Sequence, residues 1–330
     1  AVRHLQNETA LRTLYDQMFL ITQEELAAPS TDNLHKAEQL IRQMEAQLSD
    51  HTGRRSFMTQ LNYHFIYNFY HHLNHDHAAA LQHTAEIVAL WEASPAQIRD
   101  NRRGYIHAMV DYLNSCHKAG QYDGFLEVIQ KIRALKGLSS ELQARTFRAT
   151  WNLEMIYYMN SGQFEAALGL IPVFEDAMER FAGRIDQISI FSYSFNIAIL
   201  LFLMERFREA LRWVNRLREY EKSDVRRDVQ RFVRLLNLMT HLELGNDGLL
   251  VHFVPNTRRI MRQTGPLNPL EKALLRFLGK LPDLPARNRT AAFAQFHQQL
   301  DAIEGNVLGL QETRIWAGSR AEGTAMRERL

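Results

Sequence analysis

The chain has 330 residues, of which 46% are hydrophobic and 23% charged, with a formal charge of +2. That length is about twice an ordinary domain, so two domains or an elongated repeat must share the apolar surface. The composition excludes a disordered chain, and a single cysteine, Cys116, excludes an intramolecular disulfide framework or a multi-cysteine zinc site.

Glycine (16) and proline (8) are few, which favours long helices over many short strands. The richest apolar run, 188–204, is broken by Ser189, Ser192, Ser194 and Asn196 and reads as a buried helix, not a membrane span. The opening residues carry no apolar signal core, so a cytoplasmic protein without membrane insertion is expected. Charge is uneven: residues 206–289 hold 18 basic against 9 acidic residues.

In chain order, helices are predicted over 55–73, 102–118, 141–159, 186–204 and 225–244, each free of proline and apolar at helical spacing. A second helix follows each, as at 164–180, where Pro172 should bend it, and 207–222. Gly120, Gly162 and Gly245 mark elbows, Gly137 and Gly183 close second helices, and Ser139, Asp186 and Asp224 are N-terminal caps. Four second helices open alike: His77-Ala-Ala-Ala-Leu81, Tyr122-Asp-Gly-Phe-Leu126, Phe164-Glu-Ala-Ala-Leu168 and Phe207-Arg-Glu-Ala-Leu211. Weaker copies begin at Leu34, Asn246 and Arg289, so seven starts recur about 43 residues apart. The small residue in fourth place (Ala37, Ala80, Ala167, Ala210, Ala292) lets the two helices approach beside the turn. A two-helix unit cannot bury both of its apolar faces alone and must stack on its neighbours. The expectation is therefore all-α: a right-handed α-solenoid of about seven antiparallel hairpins over 1–305. Residues 265–305 would form a C-terminal cap and 306–330 an irregular or mobile tail.

An aromatic just after a Gly-containing turn, then Ala three places on and an aliphatic, resembles the tetratricopeptide repeat. The best copies are Gly162-Gln-Phe164-Glu-Ala-Ala167-Leu168 and Gly120-Gln-Tyr122-Asp-Gly-Phe125-Leu126. The run 235–250 resembles bacterial members of that superfamily. The period exceeds the family's 34 and falls nearer the ~40–47 of armadillo and HEAT units, which implies helices about one turn longer. The resemblance implies a concave face lined by first helices that binds protein or peptide. Its groove positions fall on Asn62, His72, His107, Asp111, Asn114, His117, Asn152, Ser192, Asn196, Arg231, Arg234 and His241. Amides and guanidinium groups there would engage an extended or acidic segment.

Two further constellations carry chemistry. His64, His71 and His75 share a helical face and form a weak metal candidate, although His64, His71 and His77 also occupy packing positions of the repeat. Arg212, Arg216, Arg226 and Arg227 belong to a basic ridge that suits an acidic protein better than nucleic acid, since acidic residues are interleaved. Cys116 reads as a buried filler. No nucleophile, phosphate-loop or dinucleotide motif is present. The function expected is a protein- or peptide-binding scaffold without a catalytic centre or cofactor. The alternatives are a sensor whose curvature changes on binding and, more remotely, a metal-dependent enzyme using the histidine cluster.

Overall fold

The computed structural model describes residues 2–27, 30–48, 56–219, 226–305 and 307–329, and every regular element among them is helical. The chain divides into two compact units, Ala1–Tyr157 and Tyr158–Leu330. The first contains α1 (Val2–Ala27), α2 (Thr31–Gln47), α3 (Phe57–Leu73), α4 (His77–Glu92), the short α5 (Pro95–Asp100), α6 (Arg102–Ala119), α7 (Phe125–Arg133) and most of α8 (Ser140–Asn160). The second contains α9 (Phe164–Arg180), α10 (Gln187–Leu203), α11 (Phe207–Arg218), α12 (Arg227–Glu243), α13 (Asp247–Gln263), α14 (Pro269–Lys280), α15 (Ala286–Asp301) and α16 (Leu310–Glu322).

The helices start and stop where local chemistry directs. Ser56, Asp186 and Asn268 accept hydrogen bonds from the free amides at the starts of α3, α10 and α14, and Ser139 accepts one from Leu142 at the start of α8. Asp224, expected to cap α12, and the predicted helix ends at 55, 222 and 225 lie outside the described residues. Helix α9 continues through Pro172, as α13 does through Pro255.

Five elbows share one hydrogen bond. The amides of Asp76, Gln121, Gln163, Arg206 and Asn246 donate to carbonyls five residues earlier, at 2.9, 2.9, 2.8, 2.8 and 3.0 Å. The residue before each amide is left-handed: His75, Gly120, Gly162, Glu205 and Gly245, with φ of 57, 66, 70, 57 and 73°. This is the Schellman closure, which satisfies the last carbonyls of one helix while reversing the chain. It turns α3 into α4, α8 into α9, α10 into α11 and α12 into α13, and leads from α6 toward α7. Aligning the chain on these elbows moves one predicted start. The residue equivalent to Phe164 and Phe207 is Asp247, not Asn246, so the fourth place falls on Leu250, which is fully buried, while Leu249 is exposed. At the last start Phe293, not Ala292, is the buried residue. Ala37, Ala80, Ala167 and Ala210 are fully buried as the close-approach argument requires.

In the first unit Leu11, Leu14 and Met18 of α1 close on Ala37, Leu40 and Met44 of α2 and on Ile66 of α3. A second core gathers Trp91, Tyr105, Ile106, Met109, Leu113, Phe125 and Ile129.

The irregular tail expected over 306–330 is a correction: the chain there forms α16 and a short 3₁₀ turn, Met326–Arg329. Two of its three glycines bound the helix, and Gly318 lies buried within it. Gly309 and Gly323 are left-handed at its two ends, and a Cβ on Gly309 would lie 2.0 Å from the Phe232 ring. Trp316 is fully buried against Phe277, Phe293 and Phe296. Helix α16 is buried on several sides, so it shows no single apolar stripe to a reader of the sequence.

His75 and Glu205 are side-chain-bearing residues in a conformation that the other three elbows give to glycine, and each carries a steric cost of order 1 kcal/mol. His75 is exposed, so His75→Gly should stabilise the first unit by about 1 kcal/mol in denaturant titration. An unchanged or lower midpoint would show that the elbow is unstrained.

Candidate functional site

Three helices of the first unit each send a stripe of side chains, spaced three or four residues apart, into one groove. Helix α1 contributes Arg12, Tyr15, Phe19 and Thr22; α3 contributes Asn62, Phe65, Phe69 and His72; α6 contributes Arg103, His107, Asp111, Asn114 and Lys118. The groove has two lobes of about 670 and 440 Å³. Phe69 and Asp111 line both and so stand at its waist.

One wall is aromatic. Tyr15 lies 5.7 Å from Phe65 and 5.8 Å from Phe69 between ring centres, and Phe19 lies 6.0 Å from Phe69. Phe19 remains 42% exposed, a large apolar ring open to solvent at the groove. The Arg12 guanidinium sits over Tyr15 at 5.2 Å and pairs with Asp16 at 3.2 Å.

The polar groups are less settled. Burial pushes the Asp111 carboxyl up to about 6, with the Lys118 ammonium pulling the other way, and the carboxylate has no hydrogen-bond or ion-pair partner among the described residues. Its charge is felt by Tyr15, whose phenol is raised chiefly by burial. Burial also lowers Lys118 and His107, and holds His72 down to about 4. Beneath the groove, Asn62 Nδ2, Asn68 Oδ1 and His72 Nδ1 are buried without a hydrogen-bond partner. Buried polar atoms of this kind cost about 1–3 kcal/mol each.

Of the positions named from the repeat, Asn62, His107, Asp111 and Asn114 therefore meet in this groove, as does His72. The others do not. His117 bonds the Tyr122 hydroxyl at 2.8 Å. Asn152, Ser192 and Asn196 are half-buried on α8 and α10 and line no described cavity. Arg231 donates twice to Glu271, at 2.7 and 2.6 Å, and also to the Met261 and Pro266 carbonyls, so it braces α12 to α14 and its fork is occupied. Arg234 lines a recess of only about 90 Å³ with Arg218 and Asn237. His241 meets the Asn246 side chain at 3.2 Å and packs on Phe253.

The basic ridge is interrupted in the same way. Arg226 forks onto Asp228 at 3.1 and 2.9 Å, Arg212 approaches Glu209 at 3.7 Å, and Arg216 lies over Trp213. Arg227 is exposed at the start of α12. The histidine candidate is also rearranged. His64 Nδ1 lies 3.0 Å from His83 Nδ1, and His71 and Tyr67 stack on the His83 ring at 5.4 and 5.0 Å. His75 is the left-handed elbow residue. Among the described residues no three His, Cys, Asp or Glu side chains group as a metal ion requires. Likewise, no helix among them is long and apolar enough to cross a membrane.

In the second unit α16 lies against α10, α12, α14 and α15. Trp316 Nε1 donates to Glu243 at 2.6 Å, while Arg320 donates to both oxygens of Glu243 and to Glu205 at 2.8 Å. Sequence reasoning missed Arg12, Tyr15 and Phe19, which belong to a helix before the first recognised repeat, Phe65 and Phe69, which hold register positions but read as packing aromatics, and Arg103 and Lys118, which fall off the register. Their stripe spacing was the available signal.

Two outcomes follow from these contacts. Removing Arg320 leaves Glu243 nearly buried without its cation, so Arg320→Met should cost about 3 kcal/mol and open α16 to hydrogen exchange; full protection in the variant would refute the bracing role. His72 and His83 are each held to about 4, chiefly by burial, against about 6.5 unfolded. The stability that comes from keeping them neutral is complete above about pH 6.5 and is lost as pH falls toward 4. Asp111, raised to about 6, works in the opposite sense between about 6 and 4 and offsets one of the two. The melting temperature should therefore drop between pH 7 and 4.5, and drop less in His72→Gln/His83→Gln; equal slopes would contradict the assignment.

No protein-family model matches the chain, and comparison with curated proteins and with solved structures also gives no match.

Proposed function

We propose that the chain is a peptide-binding helical-repeat protein, a cytoplasmic scaffold or adaptor that holds an extended segment of its partner in the groove of α1, α3 and α6. In this reading the hairpins form a right-handed tetratricopeptide-like solenoid of about seven units, and the first unit supplies the binding face. Recognition is the whole of the activity.

The observation that carries the reading is a convergence. Asn62, His107, Asp111 and Asn114 were singled out as polar residues at repeat positions, and all four line one cleft. The dimensions agree. From Arg103 to Lys118 the α6 stripe runs about 22 Å at 1.5 Å per residue. An extended segment of six or seven residues, at about 3.3 Å each, covers that length. Aromatic rings provide apolar contact on rigid helices, and side-chain amides can pair with a peptide backbone, so little ordering cost falls on the receptor.

The test is selection of a random heptapeptide library on the full chain, followed by titration of the selected peptides by fluorescence anisotropy. Phe69→Ala at the waist and Arg103→Glu at one end should each weaken binding at least tenfold. Ser192→Ala in the second unit should leave it unchanged. A library that yields no binder, or binders indifferent to both groove variants, would overturn the proposal.

A further inference from the structure

The peptide reading leaves open which residue the groove selects, and Asp111 bears on that choice. It stands at the waist, lines both lobes, and has no hydrogen-bond or ion-pair partner among the described residues. The carboxylate is half-buried on the groove wall and receives no donor from the described residues, so its acceptors are open to a ligand that enters and displaces water. Of the cations on its own helix, Lys118 bears on it through space without forming an ion pair, and Arg103 lies eight residues before it, about 12 Å along the axis. Arg12, on α1, is already engaged by Asp16 and Tyr15. Phe69 at the waist, with Tyr15 and Phe65 beside it in the larger lobe, offers the π-faces over which cationic side chains settle.

We propose that the groove selects a peptide with a lysine or arginine at its centre, the charged head seated on the Asp111 carboxylate and the stem lying along the Tyr15, Phe65 and Phe69 rings. This rests on the peptide-groove reading and specifies its ligand. Arg103 and Lys118 then face positions three or four residues to either side, where acidic residues are complementary. An acidic segment is accommodated only at its flanks, because a carboxylate at the centre meets another carboxylate.

The experiment uses the full chain and heptapeptide mixtures blocked at both ends, randomised at six positions and fixed at the fourth as Arg, Lys, citrulline, Gln or Glu. The Arg and Lys mixtures should be retained at least tenfold more strongly than the citrulline, Gln and Glu mixtures. Asp111→Asn should bring all five within about twofold without weakening the Gln mixture. The citrulline arm needs no variant, since it deletes the ligand's charge and keeps its shape. Binding without preference for charge, preference for Glu, or a preference for Arg that survives Asp111→Asn would each overturn this proposal and leave the groove reading standing. If no mixture is retained, both fall.

Discussion

The structure depends on a chain reversal made without leaving a carbonyl unsatisfied. A helix end exposes carbonyls that need donors, and these hairpins supply them from their own backbone although the elbow residues are exposed or half-buried. At five elbows among the described residues the chain meets this need with one 6→1 hydrogen bond and one left-handed residue. That closure sets the angle at which the second helix leaves, and a fully buried alanine at the fourth place, as in α4, α9 and α11, sets how closely it returns. Once both are fixed, the outward stripe of a first helix falls at predictable residue numbers. The groove in the first unit is the consequence: α1, α3 and α6 each point three- and four-spaced side chains at the same space.

Within that groove the balance of energies is unusual for a protein surface. Solvated surfaces carry charges that are paired or hydrated, and the Arg226–Asp228 and Arg206–Glu209 pairs of the second unit are of this kind. Around Asp111 and His72 the balance reverses. Desolvation is the leading cause of each shift, pushing carboxyl and imidazole alike toward their neutral forms. The groove thus gathers ionisable groups that burial shifts and that the described residues leave without a hydrogen-bond partner.

The architecture was legible because punctuation and periodicity agreed. Phe164 and Phe207 begin helices where the pattern placed them, and Gly120, Gly162 and Gly245 are left-handed as a Schellman elbow requires. Legibility failed where one rule stood in for another. At Asn246 the motif was aligned by its glycine and leucines, whereas geometry counts from the left-handed residue, and the start moved by one. At 310–322 the helix is buried on several sides, which erases the stripe that periodicity detects. In the site, Asn62, Asp111 and Asn114 were found because polar residues in apolar helices stand out. Tyr15, Phe65 and Phe69 were not, because aromatic residues there look like core. Arg231 stood out equally and was misread: its partner Glu271 lies 40 residues away, a contact that no local pattern contains.

The burial of Trp316 among Phe277, Phe293 and Phe296, tied by Glu243 to the end of α12, has a consequence for biogenesis. A ribosome emits residues in order, and α10, α12 and α14 emerge well before the helix that roofs them. Until that helix clears the exit tunnel, those phenyl rings are bare and Glu243 has no counterion. The second unit therefore completes its fold only after translation of α16.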